Sequence, residues 1–399
     1  MSSTIDPRLL RAPPKKGLRL SWADERFRAI IWQVLIVSAI AFVIWWLVRN
    51  TQHNLEVRRI ATGFGFLDRE AGLPIGESLI PYTPRDTYLR ALMVGVLNTL
   101  NIAVVGVVLA TVFGTVIGIA RLSKNWLVSR IAAIYVEVIR DVPLLLQLLF
   151  WYTILQSLPG PRQAMNPATG VFLSNRGLKL PFFHWESAHT AAFGAFVLGC
   201  IVLGFVSKHL RARQYADGQP RALWPWAIAL LLGLPILAWL VLGAPFTPDI
   251  PALRGFNFSG GLNVSPEYFA LLIGLVTYTA GFIAEIVRAG ILAVHEGQWE
   301  AAQALGLHRG QVLNRIVLPQ ALRVIVPPMT SQFLNLTKNS SLAVAIGYQD
   351  IVSIANTTLN QTGQAIEGIA IIMGVYLTIS LSISLFMNWY NARITLVER

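Results

Sequence analysis

The sequence predicts an all-α polytopic membrane protein with about eight transmembrane helices. Three observations carry this. Of the 399 residues, 54% are hydrophobic and only 13% charged, against about 25% charged residues in a soluble domain. The mean hydropathy is +0.57. The apolar residues also gather into eight runs, each near the roughly 20 residues that a bilayer requires.

In chain order, residues 1–29 form a basic tail, and residues 30–48 (Ile30–Val48) the first span. This run is too long for a cleaved leader, and Val48-Arg49-Asn50 offers no small-x-small cleavage site, so it reads as a retained anchor. Trp45 and Trp46 near its outer end suit an interfacial belt. Residues 49–88, with Gly, Pro and mixed charge, form a long outer loop with room for short helical structure. Residues 89–157 hold the second and third spans, Leu89–Ala120 and Ile131–Leu155, joined by a tight basic turn. Residues 158–265 are an insertion. It has two spans of its own, Thr190–Val206 and Leu223–Leu242, between Pro-rich outer loops (Pro159-Gly160-Pro161; Pro245, Pro248, Pro251). Residues 266–399 hold the last three spans, Tyr268–Val294, Ala321–Ile346 and Gly368–Trp389. The third and seventh are the least regular. No internal repeat or low-complexity tract is visible.

Basic residues set the orientation. With the N-terminus inside, nineteen Lys and Arg fall on the inner side and nine on the outer. Both termini are therefore expected in the cytoplasm. The net charge of +12 is explained by this bias and needs no nucleic acid; no aromatic-basic stripe suggests one.

The same bias places residues 295–320 inside. Within them, Gln298 to Leu305 is rich in strong helix formers. Gly306 stands where a helix would end in a left-handed turn. Arg309 to Val317 can form a second short helix, stopped by Pro319. Ala301 and Ala302 are small enough to let another protein approach, and Glu300 offers a carboxylate near a helix start.

The spacing of Glu300-Ala301-Ala302, Gly306, Ile316 and Leu318-Pro319 resembles the EAA loop of bacterial ATP-binding-cassette importer permeases. Further blocks resemble the polar amino-acid (His/Gln/Arg-type) permeases. They are Leu97-Asn98-Thr99-Leu100, Tyr135 to Arg140 with Pro143 to Gln147, Ala284 to Gly290, and Leu336 to Leu342. The usual member has five spans. The added first span and the insertion make this chain similar to one permease subunit of the general L-amino-acid transporters of Gram-negative bacteria. Asp141 departs from the Gly common after the family arginine.

The resemblance implies a type I importer permease core in a bacterial inner membrane and uptake of L-amino acids. It implies a periplasmic amino-acid-binding protein, a second homologous permease completing a heterodimer, and two ABC ATPase subunits. Those subunits would bind ATP and Mg and be driven through Glu300, Ala301, Ala302, Gly306, Ile316, Leu318 and Pro319. This chain itself needs no cofactor and is not expected to be an enzyme. None of its six lysines precedes Ser or Thr, so it has no phosphate-binding P-loop.

Polar residues inside spans are costly, roughly 2.5–3.5 kcal/mol for a charge at mid-helix on insertion scales. They should face the bundle interior or water. Glu137 and Arg140, and Glu285 and Arg288, are spaced i, i+3 and share a helix face. They are candidates for the substrate path or, alternatively, local ion pairs near the inner surface. Asn335, Lys338, Ser340 and Ser341 form a polar cluster after Pro327-Pro328, which should disturb the helix. The cluster reads either as a cavity wall or as a helix-packing motif. Asn98, Thr99 and Gln147 are further path candidates, with bonding to a neighbouring helix as the alternative.

Other chemistries find little support. Cys200, the single cysteine, excludes a disulfide within the chain and multi-cysteine metal sites. His184, Glu186 and His189 lack the zinc-helix spacing, so no metal is expected. A secondary amino-acid transporter coupled to ions would be expected to show matched halves, which are not visible. A non-transporting membrane scaffold subunit remains the third reading.

Overall fold

A computed structural model describes residue 22 and residues 25–58, 62–183, 185–219 and 221–394. Most of the basic tail, His184 and Arg399 lie outside the described residues. The helices are α1 (Glu25–Val57), α2 (Tyr88–Arg121), α3 (Trp126–Asp141), α4 (Leu144–Gln156), α5 (Ser187–Asp217), α6 (Trp224–Ile228), α7 (Leu234–Val241), α8 (Pro266–Leu292), α9 (Glu296–Ala304), α10 (Arg309–Val312), α11 (Leu318–Asn339), α12 (Ile351–Thr362) and α13 (Ala365–Ile394). Among the described residues, six stretches are long and apolar enough to cross a bilayer: α1, α2, α5, α6–α7 (joined by a π turn), α8 and α13. The bent α3–α4 pair and α11 occupy the other two apolar runs that the sequence predicts as spans. The fold is the polytopic helical bundle that the sequence predicts.

Three local departures have physical causes. The third predicted span is two helices, because Pro143 has no N–H and Val142 before it is extended (ψ 126°). Pro319 does not stop a helix. A π turn over Leu313–Val317 precedes it, and the Leu318 N–H reaches back five residues to the Leu313 carbonyl. Pro319 then sits in the first turn of α11, where a missing donor is tolerated. Nor does Pro327-Pro328 break α11, which runs through both to Asn339. Ile325, Val326 and Met329 are buried around them, and packing of this kind holds a helix whose ladder has lost two donors. The chain leaves α-geometry only at Ser340, in a 3₁₀ turn to Ile346.

The core is built on α8, packed against α2, α4 and α11. α2 and α8 approach closely at Gly114 and Gly118. A Cβ at Gly114 would stand 2.7 Å from the Ile283 side chain, and one at Gly118 would stand 2.7 Å from the Ala284 carbonyl. This is a small-xxx-small contact, which replaces the hydrophobic effect as a packing device in lipid. A second cluster joins Phe66, Ala71 and Leu73 of the α1–α2 connection to Tyr88 and Leu92 of α2 and to Ile351, Ile354 and Ala355 of α12.

The insertion contains β-structure outside the helices. β1 (Met165–Ala168), β2 (Val171–Ser174) and β3 (Gly177–Leu180) form an antiparallel meander, and β4 is Phe182–Phe183. After α7 come β5 (Pro248–Asp249), β6 (Ala252–Arg254), β7 (Asn257–Ser259) and β8 (Leu262–Val264). β3 pairs with β8, with Lys179 opposite Asn263. β4 pairs with β5, and β6 with β7. The strands before and after α5–α7 thus meet, so the insertion leaves the bundle after α4 and returns beside that point at α8. Leu158 and Leu173 seat this cap on the core near Tyr268.

Candidate functional site

The loop between α8 and α11 is folded by its own sequence. α9 ends in a paired hydrogen-bond turn. The Gly306 N–H donates to the Gln303 carbonyl at 2.9 Å, and the Leu307 N–H to the Ala302 carbonyl at 3.2 Å. Gly306 has φ +72°, the left-handed conformation this motif requires. Apart from Gly306 itself and its two chain neighbours, no heavy atom of the described residues lies within 4 Å of where its Cβ would be. His308 and Gln311 then open α10.

The expected coupling residues divide into two groups. Glu300, Ala301, Gly306, Leu318 and Pro319 are exposed, and Ile316 is half-buried. Leu305 beside the turn is 79% exposed, a large apolar side chain that the sequence reading passed over. Ala302 is 1% exposed and packs into the core with Val312 and Val317. Adjacent helical residues point about 100° apart, so Ala301 and Ala302 do not offer one surface. Ala302 seats α9 against the bundle. Glu300 lies in the second turn of α9, which begins at Glu296, and not at a helix start.

The membrane candidates are not brought together. Three of them join elements within the chain. Asn98 Nδ2 donates to the Glu77 and Gln349 carbonyls, each at 2.9 Å. Thr99 Oγ1 donates to the Gly95 carbonyl at 2.9 Å and accepts the Ile351 N–H at 3.1 Å. Gln147 Nε2 donates to the Ile139 and Val142 carbonyls at 2.9 and 3.0 Å, satisfying carbonyls left free where α3 ends at Pro143.

The charged residues separate likewise. Glu285 accepts from Arg288 and also from Arg121 at the end of α2. The local ion pair expected there is in fact a three-residue tie between α2 and α8. Arg121 had no marker in the sequence beyond its place in a basic turn. Among the described residues no ion pair joins Glu137 to Arg140. Arg140 lies 5.0 Å over the Phe282 ring, and Glu137 is exposed.

The cluster on α11 is split by its geometry. Ser340 is buried, with Oγ donating to the Thr337 carbonyl at 2.7 Å, and Ser341 Oγ donates to the Lys338 carbonyl at 2.7 Å. Asn335 and Lys338 are exposed, and Ser331, Pro328 and Val324 continue the same face. The spacing of these five, alternately four and three residues, makes one continuous stripe along α11. Ser331 was missed because a lone Ser in an apolar run carries no signal without the helix phase.

Glu77 accepts the Ser265 N–H at 2.9 Å, and burial pushes its carboxyl up. With Asn263, Glu267, Tyr348 and Gln349 it lines a cavity of about 220 Å³. Gln349 also binds the α1–α2 connection, accepting from the Gly76 N–H at 2.7 Å and donating to the Pro74 carbonyl at 2.9 Å. His189 Nδ1 accepts the Glu186 N–H at 3.1 Å, a helix-start contact.

Residues 201–396 match the family described as binding-protein-dependent transport system inner membrane component. The general L-amino acid transport system permease protein AapQ of Rhizobium johnstonii is 48% identical over 96% of this chain and 96% of its own length. The Escherichia coli (strain K12) protein YhdX is 51% identical over 95% of this chain and 97% of its own. The glutamate/glutamine/aspartate/asparagine transport system permease protein BztB of Rhodobacter capsulatus is 44% identical over 97% and 99%.

Proposed function

Since the chain belongs to the inner-membrane permease components of binding-protein-dependent ABC importers, we propose that it carries L-amino acids across a bacterial inner membrane and takes its energy from separate ATPase subunits. Its relatives' names support the substrate class. In this reading a binding protein delivers the amino acid from outside, and a second, homologous permease completes the path. Two ATPase subunits holding ATP and Mg dock on the 300–319 loop, and both termini are cytoplasmic.

One observation carries the reading most directly: the loop between α8 and α11 is built of capped helices yet leaves Glu300, Ala301, Leu305 and Gly306 uncovered. A capped helix ending in an exposed left-handed glycine can transmit a push without deforming. The stripe of Ser331, Asn335 and Lys338 supports a path at the permease–permease seam. Such a polar face is too costly to leave against lipid, whereas water or a second subunit satisfies it. Asn98, Thr99 and Gln147 are already bonded within the chain and hold its shape.

The test is cross-linking. Cysteine at Leu305, in a Cys200→Ser background, should form a disulfide with a cysteine-bearing ATPase subunit in the assembled complex, and ATP should change its yield. Cross-linking to no ATPase position, in a complex that still transports, would refute the coupling role.

A further inference from the structure

The insertion has no assigned role, and its outer cap has a definite surface chemistry. Both carboxylates of its connecting segments are engaged within the chain. Asp249 accepts the Gly261 N–H at 2.8 Å, and Glu186 accepts from Thr247 Oγ1 at 3.3 Å. Among the described residues no ion pair balances Arg162, Arg176 or Arg254. Arg176 and Arg254 are exposed, at the β2–β3 turn and the β6–β7 turn. Exposed Arg162 lies 4.0 Å over the ring of Phe256, itself 74% exposed. The cap is anchored by packing. Phe172 stacks on buried Phe258, Leu173 roots the meander in the helical core, and a side chain at Gly177 would collide with the Val264 carbonyl. The cap also continues into the outer cavity, since Asn263 of β8 lines that cavity with Glu77 and Gln349.

A preformed, cationic, aromatic-bearing surface beside the outer cavity fits a protein that arrives from outside and presents carboxylates. We propose that the face carrying Arg162, Arg176 and Arg254 is the docking surface for the amino-acid-binding protein, through acidic residues on that protein. The proposal rests on the permease reading and adds to it: the insertion is where the partner is recognised. Aromatic and arginine side chains are the ones that dominate protein contacts. Charge of one sign raises the rate of encounter and makes it depend on salt.

The experiment uses the whole complex in liposomes and its ATP hydrolysis as a function of binding protein saturated with L-amino acid. In Arg176→Glu/Arg254→Glu the half-saturating concentration of binding protein should rise about tenfold, with the maximal stimulated rate kept. Arg176→Lys/Arg254→Lys should stay within about twofold of wild type. Wild-type half-saturation should rise with ionic strength more steeply than the double reversal's.

An unchanged half-saturation in the reversal would overturn the proposal. So would loss of the second permease on purification, which would make the face a subunit interface. A difference that vanishes in zwitterionic lipid alone would assign the face to anionic headgroups and also overturn it. Failure of the wild-type complex to respond to any loaded binding protein would instead strike the permease reading.

Discussion

Replacing Gly306 by Asp separates the fold of the inner loop from its coupling. Gly306 holds φ +72°. A residue with a Cβ pays about 1–2 kcal/mol there, and Asp pays toward the lower end because it visits this region more readily than most. About 1 kcal/mol changes a local equilibrium roughly fivefold, which loosens a turn without unfolding a bundle. An added Cβ meets nothing of this chain within 4 Å beyond the neighbouring residues, so it adds no clash to the strain. Against a seated ATPase the account changes. Overpacking a tight contact costs about 1–3 kcal/mol, and an unpaired carboxylate taken from water costs more. Together these amount to a loss of coupling of tenfold or greater. The assay compares membrane abundance, amino-acid uptake and ATP hydrolysis stimulated by loaded binding protein. The expected outcome is normal abundance, uptake below one-tenth, and lost stimulation. Gly306→Asn, equal in shape and uncharged, should fall between Asp and wild type. Wild-type uptake by the Asp variant would refute the assignment of this turn to the ATPase contact.

Lys338→Met keeps the length of the side chain and removes its charge; uptake should drop severalfold while the complex still assembles, and normal transport would make Lys338 a snorkelling lysine. Thr99→Val leaves the buried Ile351 N–H without its acceptor, which costs about 1–3 kcal/mol. The purified complex should melt at lower temperature, and an unchanged melt with lost uptake would put Thr99 on the path. A cysteine at Gln311, with Cys200→Ser, should resist a membrane-impermeant thiol reagent in intact cells and react after permeabilisation. Labelling from outside would reverse the topology.

What could be read from the sequence was whatever depends on residues close along the chain. Span positions followed from apolar runs, and the turn at Gly306 followed from one glycine after a helix-forming stretch. The two proline expectations failed for different reasons, one local and one tertiary. Pro319 is accommodated by a π turn just before it, and Pro327-Pro328 by burial of Ile325, Val326 and Met329. The path candidates were chosen as polar residues in apolar surroundings, and that criterion cannot tell a residue facing water from one bonded to a carbonyl brought near by folding. Asn98, bonded to Gln349 across the fold, could be resolved only by the structure. The spacing Gly114-x-x-x-Gly118 was a usable signal for the α2–α8 contact, and it was overlooked. The cap was not legible because β3 and β8 are separated by the whole α5–α7 hairpin, and their short strands carry little alternation of their own.

The central claim is that this chain moves amino acids with energy from ATP hydrolysed on partner subunits. The most direct measurement is uptake of radiolabelled L-amino acids by cells expressing the complete complex, with cellular ATP depleted while the proton gradient is held by respiration. The account predicts that uptake stops under ATP depletion and persists when the gradient alone is collapsed. Uptake that survives ATP depletion and fails with the gradient would contradict it.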